Sequence, residues 1–254
     1  METLRIMSFN IRIQSSSDGI NSFFGRLDRL SARLMEVSPD LVGLQEATFP
    51  MREALRTSLG SRYVLIGGGR NADCNGEGCP ILYRPDRMEL LELRQFWLSD
   101  DPDLPGSRYE HSDQSGCPRV ALVARFRVNG GGLFTLINTH LDHVGSDARK
   151  RGFAALAGEL ARSAGPAALV GDFNCTPSSP ELIGFLDRIA PLGWHDCTAS
   201  LGGTFHGFGR VDPPEKIDYI FSNVTPCRAE RIADPPIAGV YLSDHTPLLA
   251  EVGI

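Results

Sequence analysis

No Cys-x-x-Cys pair occurs in this chain, no apolar run reaches the roughly 18 residues that span a bilayer, and positive charge is in deficit. Each absence removes a class of function. The six cysteines, at 74, 79, 117, 175, 197 and 227, are scattered. Zinc-site spacing is therefore missing, and Cys74 and Cys79 stand too far apart to restore it. Free thiols are expected in a reducing compartment, and Cys175 has no evident base beside it to make it a nucleophile. The formal net charge of −6 argues against gripping long nucleic acid through a broad basic face, while leaving room for a local basic cleft. Met1-Glu2-Thr3-Leu4-Arg5-Ile6 carries an acid and enters a strand-like run at once, without the basic region and apolar stretch of a signal peptide. A cytoplasmic location is the expectation. Gly67-Gly68-Gly69 lacks a Lys-Ser/Thr ending and is not a phosphate-binding P-loop. No linker, charge block or repeat divides the 254 residues, so one domain over 1–254 is the simpler account.

What the chain does contain is ordinary globular composition, 42% hydrophobic and 22% charged, arranged in alternating strand and helix patterns. Leu4, Ile6, Ser8 and Asn10 alternate with Arg5, Met7, Phe9 and Ile11 as a strand. Leu27, Leu30, Leu34 and Val37 give an amphipathic helix over Arg26 to Val37, ended by Pro39. Further strands are predicted at 40–46, 63–66, 80–83, 88–94, 120–128, 133–138, 167–170, 217–221 and 248–252, and further helices at 51–59, 147–162 and 180–189. Asn129-Gly130-Gly131-Gly132 turns one strand back on the next as a hairpin. Asp100 to Ser115 is a long surface loop.

The strands end in unusual cargo. The stretch Leu169-Val170-Gly171-Asp172-Phe173-Asn174 passes from a buried strand to an acid and a carboxamide two residues apart. If the backbone stays extended they point the same way, with Phe173 turned into the core. An Asx-turn is the other reading of the same residues. Glu46 closes the 40–46 strand as an ion-pair partner or a ligand, and Glu77 is a weaker candidate. His140, Asp142 and His143 close the 133–138 strand, as surface polarity or as part of a site. Asp218 sits where a core residue is expected, and an unpaired buried acid costs several kcal/mol, so it should face a cation or a histidine. With Asn10, Asp244 and His245, these groups are carboxylates, carboxamides and imidazoles without thiolates. Such a set favours a hard divalent cation, Mg2+ or Mn2+, over zinc. It suits hydrolysis of a phosphate ester, where cation and hydrogen-bond donors share the charge on phosphorus-bound oxygens.

Five ordered motifs carry a resemblance: Phe9-Asn10; Gln45-Glu46; Asn138-Thr139-His140; Gly171-Asp172-Phe173-Asn174; and Ile217-Asp218-Tyr219 with Ser243-Asp244-His245. Together they resemble the endonuclease/exonuclease/phosphatase superfamily of metal-dependent phosphoesterases. The resemblance implies an α/β fold, a four-layer α/β/β/α sandwich of two packed mixed sheets with helices outside. It implies Glu46 as principal metal carboxylate, with Asn10 and Asp244 at the metal. It implies Asp172 as the group that orients or deprotonates water, Asn174 as a phosphate donor, and His140 as a stabiliser of the transition state. His245 is then the second catalytic histidine, oriented by Asp218. A bacterial branch of the family also shows Phe96-Trp97-Leu98-Ser99, the run from Asn138 to His143, and Thr204-Phe205-His206-Gly207-Phe208.

The resulting expectation is a metal-dependent hydrolase acting on a small or medium phosphorylated substrate, contacted by Arg119 and His206. A nuclease, with Arg149-Lys150-Arg151 and Arg119 on backbone phosphates, is the alternative, disfavoured by the acidic balance. An inactive binding or scaffold descendant of the family is the third. Phe96, Trp97, Phe205 and Phe208 stack on a sugar or base, or else anchor the core and loops.

Overall fold

Alternation along the strands decides the layering. In a computed structural model describing residues 3–225 and 227–254, β1 (Thr3–Asn10) turns Leu4 and Ile6 to one face and Met7 and Phe9 to the other. It lies in a six-stranded sheet with β2 (Leu41–Gln45), β3 (Val64–Ile66), β4 (Ile81–Tyr83), β11 (Cys227–Arg231) and β12 (Leu248–Gly253), in the order β11-β12-β1-β2-β4-β3. The second six-stranded sheet runs β5-β6-β7-β8-β10-β9. Its members are β5 (Met88–Trp97), β6 (Val120–Val128), β7 (Leu133–His140), β8 (Ala167–Asp172), β9 (His195–Asp196) and β10 (Asp218–Ser222). Each sheet holds a parallel pair, β1 with β2 and β7 with β8. Such a pair needs a helical crossover; here α1 (Phe23–Val37) and α3 (Ser146–Arg162) supply it.

Three apolar clusters mark the interfaces between four layers. Leu30 and Leu34 of α1, with Met51 and Leu55 of α2 (Phe49–Leu59), pack on Met7, Phe9, Val42 and Leu44. Phe153 and Leu156 of α3, with Leu182 and Phe185 of α4 (Pro180–Ile189), pack on Ile137, Leu169 and Phe221. Between the sheets lie Leu4, Ile6, Leu136, Val170, Ile220 and Ala250. Full burial of each large aliphatic or aromatic side chain is worth about 1.5–3 kcal/mol. A one-residue register slip would turn such a row outward, so the register is strongly fixed. The result is the expected α/β/β/α sandwich of two mixed sheets.

Several boundaries differ from the sequence expectation. The first helix starts at Phe23 rather than Arg26, because Phe23 is fully buried against the sheet. Strand β5 runs on to Trp97, three residues past Arg94, and β7 on to His140. Two short edge strands, β9 and β11, carry no sequence signal strong enough to predict them. Phe96 and Trp97 are each only 5% exposed. Phe96 joins the helix-facing core and the Trp97 indole N–H donates to the Arg70 carbonyl at 2.6 Å, so neither is free to stack on a ligand. Among the described residues no helix is long and apolar enough to cross a membrane.

The inward-facing rows that form the inter-sheet core turn polar at one end of the sandwich. Leu4 and Ile6 give way to Ser8 and Asn10, Phe134 and Leu136 to Asn138 and His140, and Ala168 and Val170 to Asp172. In the antiparallel β10 the polar residue comes first, Asp218 before Ile220. Register pairing places His140 opposite Asp172 and Asp172 opposite Asp218, while Asn10 lies opposite Gln45 in the other sheet. Gly43 permits the sheets to close beneath these groups: a Cβ there would lie 2.4 Å from Val170 Cγ2 and 2.7 Å from Asn138 Oδ1.

Candidate active site

Asn10 joins the two polar rows. Its carboxamide donates to Glu46 Oε1 at 3.0 Å and to Asp172 Oδ2 at 2.9 Å, one partner from each sheet. Glu46 Oε2 also accepts from the Ile13 backbone N–H at 2.7 Å, so the carboxylate is held at both oxygens. Ser243 Oγ donates to the Asn10 carbonyl at 2.7 Å and fixes the segment bearing Asp244 and His245 against β1. His245 Nδ1 and Asp218 Oδ2 are 2.8 Å apart, and Phe205 packs on the imidazole with ring centroids 5.0 Å apart. Asp172 Oδ2 lies 3.6 Å from His140 Nε2 and 3.8 Å from His245 Nε2, so one carboxylate sits between two imidazoles.

Backbone conformation sets two of these side chains. Glu46 has φ +65° and Asn174 φ +50°. Left-handed geometry is uncommon for residues with a Cβ and costs about 1–2 kcal/mol outside glycine, a strain that often accompanies functional sites. The strand ends at Asp172, and the Asn174 N–H donates to Asp172 Oδ1 at 2.9 Å, an Asx-turn. The extended geometry that would align Asp172 with Asn174 is therefore absent. Asn174 reaches the same cleft through the turn, with its Nδ2 donating to the Leu141 carbonyl at 3.0 Å. Phe173 points into the helix-facing core, as its position predicts.

Charge is concentrated and poorly hydrated here. Burial and the neighbouring Asp218 push the Asp172 carboxyl up to about 7. Burial likewise raises Asp244. Burial works against a charged His245, but Asp218, Asp172 and Asp244 outweigh it and lift the imidazolium to about 10. His140 is driven well below the usual histidine range by burial and by Arg119 and Arg70. The two histidines thus differ in charge at neutral pH, one a cation among acids and the other a neutral ring among cations.

Deeper groups hold the platform. Gln45 Nε2 donates to Asn138 Oδ1 at 2.7 Å, and Asn138 Nδ2 donates to the Leu44 and Pro80 carbonyls at 2.8 and 3.0 Å, tying the sheets together below the site. Asp142 accepts from the backbone N–H groups of Ser115, Val144 and Gly145 at 3.1, 3.0 and 2.8 Å, and so pins the long loop beside the cleft.

A cleft of about 570 Å³ gathers Glu46, His140, Asp172, Asn174, Asp244 and His245. Arg119 and Glu77 also line it. Asn10 and Asp218 are not on its wall, being 1% and 2% exposed, and act through the groups they bond. His206 is not on the wall either: its ring packs on Tyr241 and its Nδ1 accepts from the Gly209 N–H at 3.3 Å. Phe205 lines the cleft, whereas Phe208 packs on Tyr241. Arg149 is paired with Glu181 at 2.8 Å and Arg151 with Asp147 at 2.9 Å, and neither lines the cleft. A second groove of about 640 Å³ between α3 and α4 includes Lys150 but none of the strand-end groups. Arg12, Arg70, Arg210 and Glu215 line the cleft without a motif to mark them in the sequence.

The donor set fits a hard divalent cation. Four carboxylates, Glu46, Asp172, Asp218 and Asp244, converge here. Arg12 approaches Asp244 at 3.8 Å but is closer to Asp18, at 3.0 Å. Asp172, Asp218 and His245 each offer a ligand atom within 4.8 Å of the other two. Within that trio, however, His245 Nδ1 is already hydrogen-bonded to Asp218, which gives the imidazole an orienting partner. Glu46 and Asp244 bring further carboxylate oxygens to the cleft wall, the donor type a hard cation takes.

A four-layer sandwich whose sheets open at one end onto carboxylates, a carboxamide and two imidazoles defines a phosphoesterase fold. Residues 7–245 match the Endonuclease/Exonuclease/phosphatase family, and the chain belongs to that family. An endonuclease/exonuclease/phosphatase of Bacteroides vulgatus is similar over 100% of both chains, with 32% identity and a TM-score of 0.89. A mannosyl-6-phosphatase of Bacteroides thetaiotaomicron is similar over 99% of this chain and 100% of its own, with 26% identity and a TM-score of 0.87. The UPF0294 protein YE0917 of Yersinia enterocolitica is 28% identical over 136 residues, 52% of this chain and 48% of that protein, so the match spans about half of this curated relative.

Proposed function

We propose that the chain is a Mg2+- or Mn2+-dependent hydrolase of phosphate esters acting on a small or medium-sized substrate. Glu46 and Asp244 hold the cation, and Asn10 fixes Glu46 beside it. When bound, the cation neutralises charge on the phosphate oxygens and makes phosphorus more open to attack. Asp172 receives or orients the proton of the attacking water. Asn174 has a second amide N–H beyond the one bound to Leu141, and this N–H and His140 donate to the phosphate. Asp218 sets the tautomer and direction of His245, which faces the reacting oxygens from the other side of Asp172.

The observation that carries this reading is the Asn10 bridge, which ties a ligand carboxylate from one sheet to the water-directing carboxylate of the other within 3.0 Å. The similarity to a protein named as a mannosyl-6-phosphatase supports a small phosphorylated substrate. Six unpaired cysteines fit a cytoplasmic setting. Cleavage of nucleic-acid phosphodiesters is the second reading, favoured by Arg12, Arg70, Arg119 and Arg210 in the cleft. It is weakened because Arg149 and Arg151 are committed to Glu181 and Asp147.

The test uses purified protein with a phosphate monoester, a phosphodiester and a short oligonucleotide, each with Mn2+ and with chelator. Hydrolysis of the small esters that stops on chelation is the expected result. Equal rates with metal and chelator would overturn the proposal, and salt-sensitive oligonucleotide cleavage alone would favour the second reading.

A further inference from the structure

The cleft wall includes Arg70, Arg119, His140 and His143. Arg119 is only 4% exposed. Its Nε faces Asp142 Oδ2 at 3.4 Å and its Nη2 lies 2.7 Å from His143 Nδ1. Its Nη1 is buried and has no hydrogen-bond partner among the described residues. Asp142 forms a buried ion pair with the Nε edge and is itself held by Ser115, Val144 and Gly145, an arrangement that leaves Nη1 without a partner. Arg70 differs: its Nη2 is paired with Glu77 Oε1 at 2.7 Å. A guanidinium is planar and rigid, so anchoring two of its nitrogens fixes the direction of the third. Leaving a buried charged donor without a partner is costly, and an anionic oxygen would remove that cost.

We propose that Arg119 is the specificity-determining residue that selects phosphate monoesters over diesters, its free Nη1 receiving a terminal oxygen of a phosphate dianion. The inference rests on the phosphoester reading above and narrows it to a substrate class. A monoester presents three terminal oxygens and a charge of about −1.5 to −2 at neutral pH. With one oxygen on the cation that Glu46 and Asp244 would hold and one on His140 and Asn174, a third would be left for Arg119. A diester presents two terminal oxygens and a single charge, and its third non-leaving position carries a carbon substituent. The recess beside Arg119, walled by the Arg70–Glu77 pair with Gly78, Cys79, Val120 and His140, has a volume of about 10 Å³. That is the space of one water-sized atom. It admits an oxygen and excludes an alkyl or nucleoside group.

The experiment compares wild type, Arg119→Gln and Arg119→Lys in Mn2+ for kcat/KM on p-nitrophenyl phosphate and on methyl p-nitrophenyl phosphate. Calorimetric titrations with inorganic phosphate and with dimethyl phosphate run beside it, and thermal melting reports folding. The wild type is expected to prefer the monoester at least tenfold. Arg119→Gln should lower monoester kcat/KM at least thirtyfold, change the diester less than threefold, and weaken inorganic phosphate but not dimethyl phosphate. Arg119→Lys keeps a positive charge near Asp142 but has a single nitrogen and so loses the Nη1 donor. It carries the test if the glutamine variant fails to fold, and is expected to lose monoester preference at least tenfold. Equal losses on both esters, or an unchanged monoester-to-diester ratio, would overturn the inference. If the wild type hydrolyses neither ester, the phosphoester reading fails instead. The titrations then judge Arg119 separately: unchanged inorganic phosphate binding in the folded variants counts against it, and selective loss supports it.

Discussion

Replacing Asp142 by Asn tests how the cleft wall is held. The side chain is 2% exposed, and burial opposes its charge. The N–H groups of Gly145, Ser115 and Val144 and the Ser115 hydroxyl more than offset this, so its carboxyl falls from 3.8 to about 2. That difference corresponds to about 2.5 kcal/mol at neutral pH. Water reaching Ser115 and the exposed Val144 screens part of it, leaving about 2 kcal/mol. Because the folded carboxyl is the stronger acid, its contribution is complete above about pH 4 and disappears as pH falls toward 2. Asp142→Asn should therefore lower the unfolding free energy by about 2 kcal/mol at pH 7, equivalent to a melting temperature about 4–8 °C lower for a chain of this size. Urea unfolding of both proteins at pH 7, 5 and 3.5 measures the effect, and the gap should narrow only in the most acidic series. A gap below about 0.5 kcal/mol at pH 7, or one of equal size at all three pH values, would show that these hydrogen bonds do not stabilise the charged carboxylate.

Two further substitutions probe the chemistry and the platform. Asp218→Asn removes the charge that orients His245 across 2.8 Å, and kcat on a monoester in saturating Mn2+ should fall by about 10²–10⁴ with KM little changed; a kcat within threefold of wild type contradicts the orienting role. Asn138→Ala takes one buried partner from Gln45 Nε2, which keeps the Gly43 carbonyl at 3.1 Å, from the Pro80 carbonyl, which keeps the Leu44 N–H at 2.9 Å, and from the Leu44 carbonyl. Denaturant melts should show a loss of about 1–3 kcal/mol, from the lost buried hydrogen bonds and the cavity left behind, and a loss under about 0.5 kcal/mol would show that the sheets are tied elsewhere.

Much of the scaffold is written in period-two alternation, which is why the sandwich layers follow from the strand patterns. Ser8 and Asn10 share the parity of Leu4 and Ile6, so the inner row visibly changes from apolar to polar along one strand. The same change at Asn138 and His140 and at Asp172 points to one end of the sandwich. The sequence is less explicit where geometry depends on φ or on distant loops. Nothing in Gln45-Glu46 announces the φ of +65° at Glu46, and of the two geometries open to Asp172 and Asn174, extended alternation and an Asx-turn, the chain adopts the turn, with Asn174 at φ +50°. Arg12, Arg70 and Arg210 reach the cleft from segments whose position depends on long-range packing, so spacing could not mark them. His206 stands beside cleft-lining Phe205 and Gly207 but turns to Tyr241, a partner 35 residues later in the chain. Phe96 and Trp97 resemble a stacking pair by composition, yet the extension of β5 buries both.

The proposed cation site, with Glu46 from one sheet and the acids of the other beside it, can be measured directly. Calorimetric titration of Mn2+ into chelator-treated wild type and into Glu46→Gln tests it without reference to any substrate. The wild type should take up the ion saturably, and loss of one charged oxygen ligand should weaken that uptake at least tenfold. Superimposable isotherms, or no uptake by the wild type, would contradict the account.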